Sequence, residues 1–183
     1  MPKIFFAGPR ATGKTSIARE IEKSSPYAHL LHLASPLYDI AQRYFAMGEK
    51  DRPLLQALGT ALRAVRPEVL LECAERDAVR IMGNDCTALI ILDDVRLPSE
   101  VSWLLARGWR GWRVQVPESV RRERLLQLGE PTAQEVDNHL TEIYSAHLKL
   151  PVLDGTAPLP ELVRLVQKWD AADPRTGPSS NAP

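Results

Sequence analysis

Thiols are scarce in this chain: Cys73 and Cys86 are the only cysteines in 183 residues. Two cysteines at that separation supply neither a disulfide framework nor a thiolate metal site, and they read as small core residues of a reducing compartment. Long apolar runs are missing too. None approaches the roughly 18 residues that a membrane span needs, and no basic-then-apolar leader opens the sequence. Excess charge is the third absence. Lys and Arg number 23 and so do Asp and Glu, so no global field favours a polyanionic partner, and a nucleic-acid contact would need a local patch. Internal repeats are lacking as well. Together these absences predict a soluble cytoplasmic protein with no membrane partner. What the chain does have is 44% hydrophobic and 25% charged residues, at a length that buries the core of one domain.

Strands and helices alternate along it. "KIFFA" (3–7) reads as a strand, followed by a Gly-rich turn and a helix from Lys14 to about Lys23 with Ile17, Ala18 and Ile21 on one face. "HLLHLA" (29–34) is a second strand, and 35–82 is helical with breaks near Gly48 to Pro53 and at Pro67. "TALIIL" (87–92) has the continuous apolar character of a strand buried on both faces. "LPSEVSWLLARG" carries helix punctuation at both ends, from Pro98 and Glu100 to Arg107 and Gly108. "WRVQV" (112–116) is a further strand, Pro117 opens another helix, and 129–148 is polar. After Asp154-Gly155, the positions Leu159, Leu162, Val163, Val166 and Trp169 draw the apolar face of a closing helix. The stretch 171–183, rich in Pro, Ser and Gly, is expected to be a disordered tail. This order predicts an α/β fold, a parallel sheet of about five strands with helices on both faces. Ligands of such sheets gather at the carboxyl ends of the strands, which puts Gly8–Thr15 and Asp93–Arg96 on one edge.

Gly8-Pro9-Arg10-Ala11-Thr12-Gly13-Lys14-Thr15 fits G-x-x-x-x-G-K-[ST] at every position, between a strand and a helix. Gly8 and Gly13 permit backbone angles a side chain would forbid. The loop amides, backed by the positive end of the next helix, form an anion nest. Lys14 reaches terminal phosphates and the Thr15 hydroxyl is the expected Mg²⁺ ligand. A switch GTPase would also show a base-reading N-K-x-D stretch, which is absent, and a motor ATPase would usually be longer. "ILDDVRLPSE" supplies Asp93 and Asp94 after a strand. A carboxylate there can hold the Mg²⁺ hydration shell or orient an acceptor hydroxyl, and Arg96 can clamp an acceptor phosphate. The alternative is that the two aspartates cap the following helix.

Four further segments carry a family resemblance. Asp94-Val95-Arg96-Leu97-Pro98-Ser99-Glu100 resembles the D-V-R-x-x-x-E segment of bacteriophage-type deoxynucleoside monophosphate kinases. "RPLLQALGT" (52–60) is similar to that family's R-x-L-L-Q-x-L-G-T stretch. "DNHLTE" (137–142) is similar to its D-x-H-x-S-E, with Thr141 in place of Ser, and "LDGTAPLPEL" (153–162) to its N-D-G-T-x-x-x-L ending. With the loop, these cover most of 3–170. The resemblance implies a phosphate-loop nucleotide kinase using ATP and Mg²⁺ in the cytoplasm, or in the host cytoplasm if the source is viral. It implies one kinase domain over 1–170, an acceptor-binding insertion near 35–82 and a lid near 117–148. Gly8, Arg10, Ala11, Thr12, Gly13, Lys14, Thr15 and Ser16 would bind the ATP phosphates, with Thr15 and Asp94 serving the metal. Arg52, Gln56, Arg63, His139 and Glu142 would line the acceptor site, and Lys14, Asp94, Arg96, Arg121, Arg122 and Arg124 would carry the chemistry. Gln56, Arg63 and the lid arginines also read as solvated helix faces, and His139 with Glu142 as a structural pair.

"ARGWRGWRVQV" interleaves arginines with Trp109 and Trp112. Such a set can engage backbone phosphates and stack on unpaired bases, or it can be a helix end and a strand packing their indoles. The first option keeps a rival acceptor, 5-hydroxymethyluracil within phage DNA, phosphorylated during thymine hypermodification. A non-catalytic nucleotide-binding module and a kinase of another metabolite, such as dephospho-coenzyme A, are more distant readings. Monomer and homodimer both stay open.

Overall fold

The computed structural model describes residues 2–128 and 149–171. The apolar run Lys3–Ala7 forms β1, and the loop after it turns into α1 (Lys14–Ser24). Next come β2 (Ala28–Leu31), α2 (Ser35–Phe45), α3 (Arg52–Val65) and α4 (Val69–Asn84). The order continues through β3 (Leu89–Val95), α5 (Pro98–Ala106), β4 (Arg110–Gln115), α6 (Glu118–Gln127), β5 (Val152–Asp154) and α7 (Leu159–Ala171). All strand pairs are parallel, in the order β2-β3-β1-β4-β5. The chain thus leaves the central β1 for one edge at β2 and steps back to β3. It then crosses over β1 to β4 and ends at the other edge with β5, so β1, which feeds the phosphate loop, lies at the centre.

Alternation along β1 explains both cores. Phe5 faces one side, where Ile90, Leu92, Val95 and Trp109 meet the buried faces of α2 to α5. Ile4 and Phe6 face the other, with Ile91, Trp112, Val114 and Leu153 against Ile17, Ala18 and Ile21 of α1 and Leu162, Val163 and Val166 of α7. Both phenylalanines are fully buried, each contributing about 1.5–3 kcal/mol of transfer free energy. Packing is close enough that Gly111 is required: a Cβ there would lie 2.1 Å from the Phe5 ring. The α2–α3 break falls where the Asp51 side chain accepts from the Leu54 amide (3.0 Å) and starts α3. The α3–α4 break spans Pro67, whose missing N–H and fixed φ disfavour a continuous helix.

Four expectations shift. The second strand ends at Leu31 rather than 34, because Asp94 takes the Leu33 and Ala34 amides. β3 runs on to Val95, so Asp93 and Asp94 sit inside the strand and do not cap α5; Glu100 accepts the Arg96 and Leu97 amides (3.0 Å each) instead. β4 starts at Arg110, two residues early. The fifth strand, Val152–Asp154, is too short to show a period. The expected lid beyond Leu128, the expected tail past Ala171 and the side chain of Trp169 lie outside the described residues.

Candidate active site

The phosphate loop takes backbone geometry that its sequence anticipates. Gly8 and Gly13 have φ of 139° and 101°, and Ala11 adopts a left-handed φ of 60°. A Cβ on Gly8 would stand 2.5 Å from the Val114 carbonyl oxygen, so β4 admits only glycine there. No side chain caps α1, whose N-cap is Gly13. The first amides of that helix are thereby left for an anion. Lys14 is buried and donates to the carbonyls of Gly8 (2.7 Å) and Pro9 (2.6 Å). The Thr12 hydroxyl ties to Pro9 as well (3.0 Å).

The two aspartates part company at a bulge. β1 pairs Phe5 with Leu92 but Ala7 with Val95, so Asp93 and Asp94 together oppose Phe6. Such an extra residue re-aims side chains. Asp93, buried, is hydrogen-bonded by the Thr15 hydroxyl and lies 2.7 Å from His32 Nδ1. Desolvation opposes its charge, but the bonds from His32 and Thr15 and the charges of His32 and Lys14 outweigh it and hold its carboxyl below the usual range. His32 is raised in turn, chiefly by its bond to Asp93 and then by the charges of both aspartates, against desolvation and Arg19. Asp94, expected at the metal, has its oxygens on the Leu33 and Ala34 amides (2.7 and 3.1 Å). Desolvation and the neighbouring Asp93 charge raise it. Asp93, offered with Asp94 by the acidic pair but passed over for Asp94 by the family resemblance, is the carboxylate beside Thr15. His32 had no periodic or spacing signal beyond its place at the end of the second strand.

Arg63 also departs from its expected place. It bonds Glu100 (3.1 Å) and the Gly59 carbonyl (3.4 Å), tying α3 to α5 rather than standing open to an acceptor. Gly59 makes room, since a Cβ there would approach Arg63 Nη1 to 3.1 Å. Arg52 is half-buried at the start of α3, and Gln56, one turn on, is exposed. Arg96, half-buried, follows the bulge. His139 and Glu142 lie outside the described residues.

Of the α6 arginines, Arg124 reaches the loop: Nη1 donates to the carbonyls of Ala11 (3.5 Å) and Thr12 (3.4 Å), and Nη2 to Gly155 (3.0 Å). Arg121, buried, and Arg122, exposed, both bond Glu118. Gly155 rests on the loop so closely that a Cβ would meet the Thr12 oxygen at 2.4 Å. Beside this contact opens a cavity of about 420 Å³, lined by Gly13, Ile17, Arg124, Leu128, Ala157 and Leu159 among others. The indoles of Trp109 and Trp112 are interior, with Trp109 Nε1 donating to Glu75 (2.6 Å), which Lys3 also bonds. They pack the core and offer no face to a base.

Among solved structures, the chain is similar to shikimate kinase from Aquifex aeolicus, with a TM-score of 0.57 and 15% identity over 96% of this chain and 99% of that one. It is similar to the tunicamycin resistance protein of Deinococcus radiodurans (0.54, 17%, covering 94% and 96%). A sugar kinase from Janibacter matches at 0.51 and 16%, covering 96% and 97%. The chain has the fold of the P-loop kinases. No protein-family model and no curated protein sequence matches it. At these identities the fold is shown and the acceptor is not, so the finer likeness to deoxynucleotide kinases rests on the sequence segments. Among the described residues no helix is long and apolar enough to cross a membrane.

Proposed function

We propose that this protein transfers the terminal phosphoryl group of ATP·Mg²⁺ to a deoxynucleoside monophosphate. The observation that carries phosphoryl transfer is the meeting of Thr15 and Asp93 at the head of a complete phosphate loop, and the acceptor is argued from the segments at 52–60 and 94–100. A hydroxyl beside a carboxylate is a hard-oxygen donor set that suits Mg²⁺, which keeps most of its shell as water and phosphate and needs few protein ligands. When bound, the metal neutralises charge on the transferring phosphoryl oxygens. The chain's own residues do the rest. Loop amides from Gly8 to Ser16 cradle the phosphates, and Lys14 exchanges the Gly8 and Pro9 carbonyls for phosphate oxygens. The cavity between Ile17, Arg124 and Leu159 takes the donor base, with Arg124 fixing the loop that floors it. Arg121 and Arg122 face phosphate charge once Glu118 yields them, while Arg52, Gln56 and Arg96 hold the acceptor and Arg63 fixes their helix.

Terminally labelled ATP offered with each free deoxynucleoside monophosphate and with 5-hydroxymethyluracil DNA tests the acceptor. Label on a free deoxynucleotide supports the reading. Label on the DNA alone replaces the acceptor, and no transfer to any of them points to a different acceptor or to a non-catalytic nucleotide-binding module. Burial of Trp109 and Trp112 removes the stacking platform on which the DNA alternative was based.

A further inference from the structure

We infer that His32 is a positioning residue for the donor-site carboxylate: its Nδ1–H holds Asp93 in the orientation that faces the Thr15 hydroxyl. The inference rests on the proposed donor site and assigns that site a residue lying outside every motif. Its basis is a reciprocal bracket between two adjacent strands. Asp94 grips the amides of Leu33 and Ala34, while the residue before them, His32, sends its ring to Asp93 at 2.7 Å. Two consecutive aspartates at a bulge thus pin three consecutive residues just after β2, so the backbone that carries the imidazole is held against the bulge.

Exposure fits this division of labour. The Asp93 side chain is 2% exposed and that of His32 is 43%, so the acid is enclosed and the ring closes its open side. A carboxylate at a bulge has freedom to swing between neighbouring donors. With one oxygen held by His32 and Thr15 alongside, that freedom is gone. Nδ1 can donate whether the ring is neutral or protonated, so the device needs no proton exchange. Groups that orient a metal-binding side chain commonly change metal affinity about 10–100-fold when removed. The helix that begins at Ser35, directly after the bracketed residues, opens the acceptor insertion, so His32 also joins the donor edge to α2.

The test is Mn²⁺ binding by electron paramagnetic resonance to the full chain with a non-hydrolysable ATP analogue. Wild type is compared with His32→Phe, which keeps a ring without the donor, and His32→Asn, which keeps a short donor. His32→Phe should weaken Mn²⁺ by about 10–100-fold, and His32→Asn should recover most of that loss. Affinity for the analogue without metal should be the same in all three. Should phenylalanine not be accommodated, as a thermal melt would show, His32→Ala makes the same comparison. Mn²⁺ bound as tightly by the Phe variant, an Asn variant no better than Phe, or an equal loss of metal-free analogue affinity each overturns the inference. A wild type that binds no Mn²⁺ with the analogue overturns the donor-site reading and the inference with it.

Discussion

The donor edge and the acceptor side are built in different ways. At the donor edge nearly every group is already in contact: Lys14 on its own loop, Arg124 on Ala11, Thr12 and Gly155, Asp93 on Thr15 and His32. On the acceptor side Arg52, Gln56 and Arg63 share α3 while Arg96 stands on the turn before α5, and Glu100 bridges the two by bonding Arg63 and the Arg96 amide. Backbone amides and glycines define a phosphate site, and they leave little to choose. An acceptor is chosen by side chains, which need a frame first. Arg63 and Glu100 supply that frame by binding α3 to the turn that carries Arg96.

The comparison can be broken most severely at Lys14. Lys14→Ala should lower phosphoryl transfer by about 10²–10³-fold or more while the melting temperature stays close to wild type, since its bonds are to carbonyls that water can serve. Full activity in that variant would overturn the donor site. Arg63→Met sharpens the other half. If Arg63 is part of the frame, removing it leaves the enclosed Glu100 carboxylate short of a partner and costs about 1–3 kcal/mol in denaturant unfolding. Acceptor KM should then rise through misplacement of Arg52 and Arg96. A variant of unchanged stability whose acceptor KM alone rises would return Arg63 to the acceptor's direct ligands.

The smallest effect concerns α6. The bonds from Arg121 and Arg122 hold Glu118 below its ordinary 4.5. A lowered acid contributes stability that is fully present above its unfolded pKa and is lost as pH falls through the folded one. Glu118→Gln should therefore be slightly less stable than wild type at pH 6 to 7, by about 0.5 kcal/mol for a carboxylate that is itself half exposed, and the gap should close in the acid range below 4.5. A gap that persists in acid would mean that packing, and not charge, restrains the two arginines.

Contiguity decided what could be read before the fold was known. Residues 8–15 form one uninterrupted stretch whose angles are dictated by its own glycines, and the apolar runs of β1 and β3 announce the sheet. Asp93 and Asp94 could not be told apart, because their roles follow from a bulge opposite Phe6, set by pairing with a strand nearly ninety residues away in the chain. His32 matters only through a partner 61 positions on. Glu100 was legible as a first-turn acid, but its hold on Arg63 depends on where α3 lands. A sheet of about five strands was expected, but β5 could not be located because three residues carry no period, although Asp154-Gly155 marks its end.

The contact of Gly155 with the Thr12 carbonyl also bears on how the molecule comes into being. The floor of the phosphate loop is laid by residues made some 140 positions after it. At synthesis rates of about 5–20 residues per second, the nascent loop waits many seconds for that support. Until β5 joins the edge of the sheet, Arg124 has no Gly155 carbonyl to bind and the cavity lacks one wall. Competence to hold a nucleotide should therefore arrive in step with β5 and not with the loop itself.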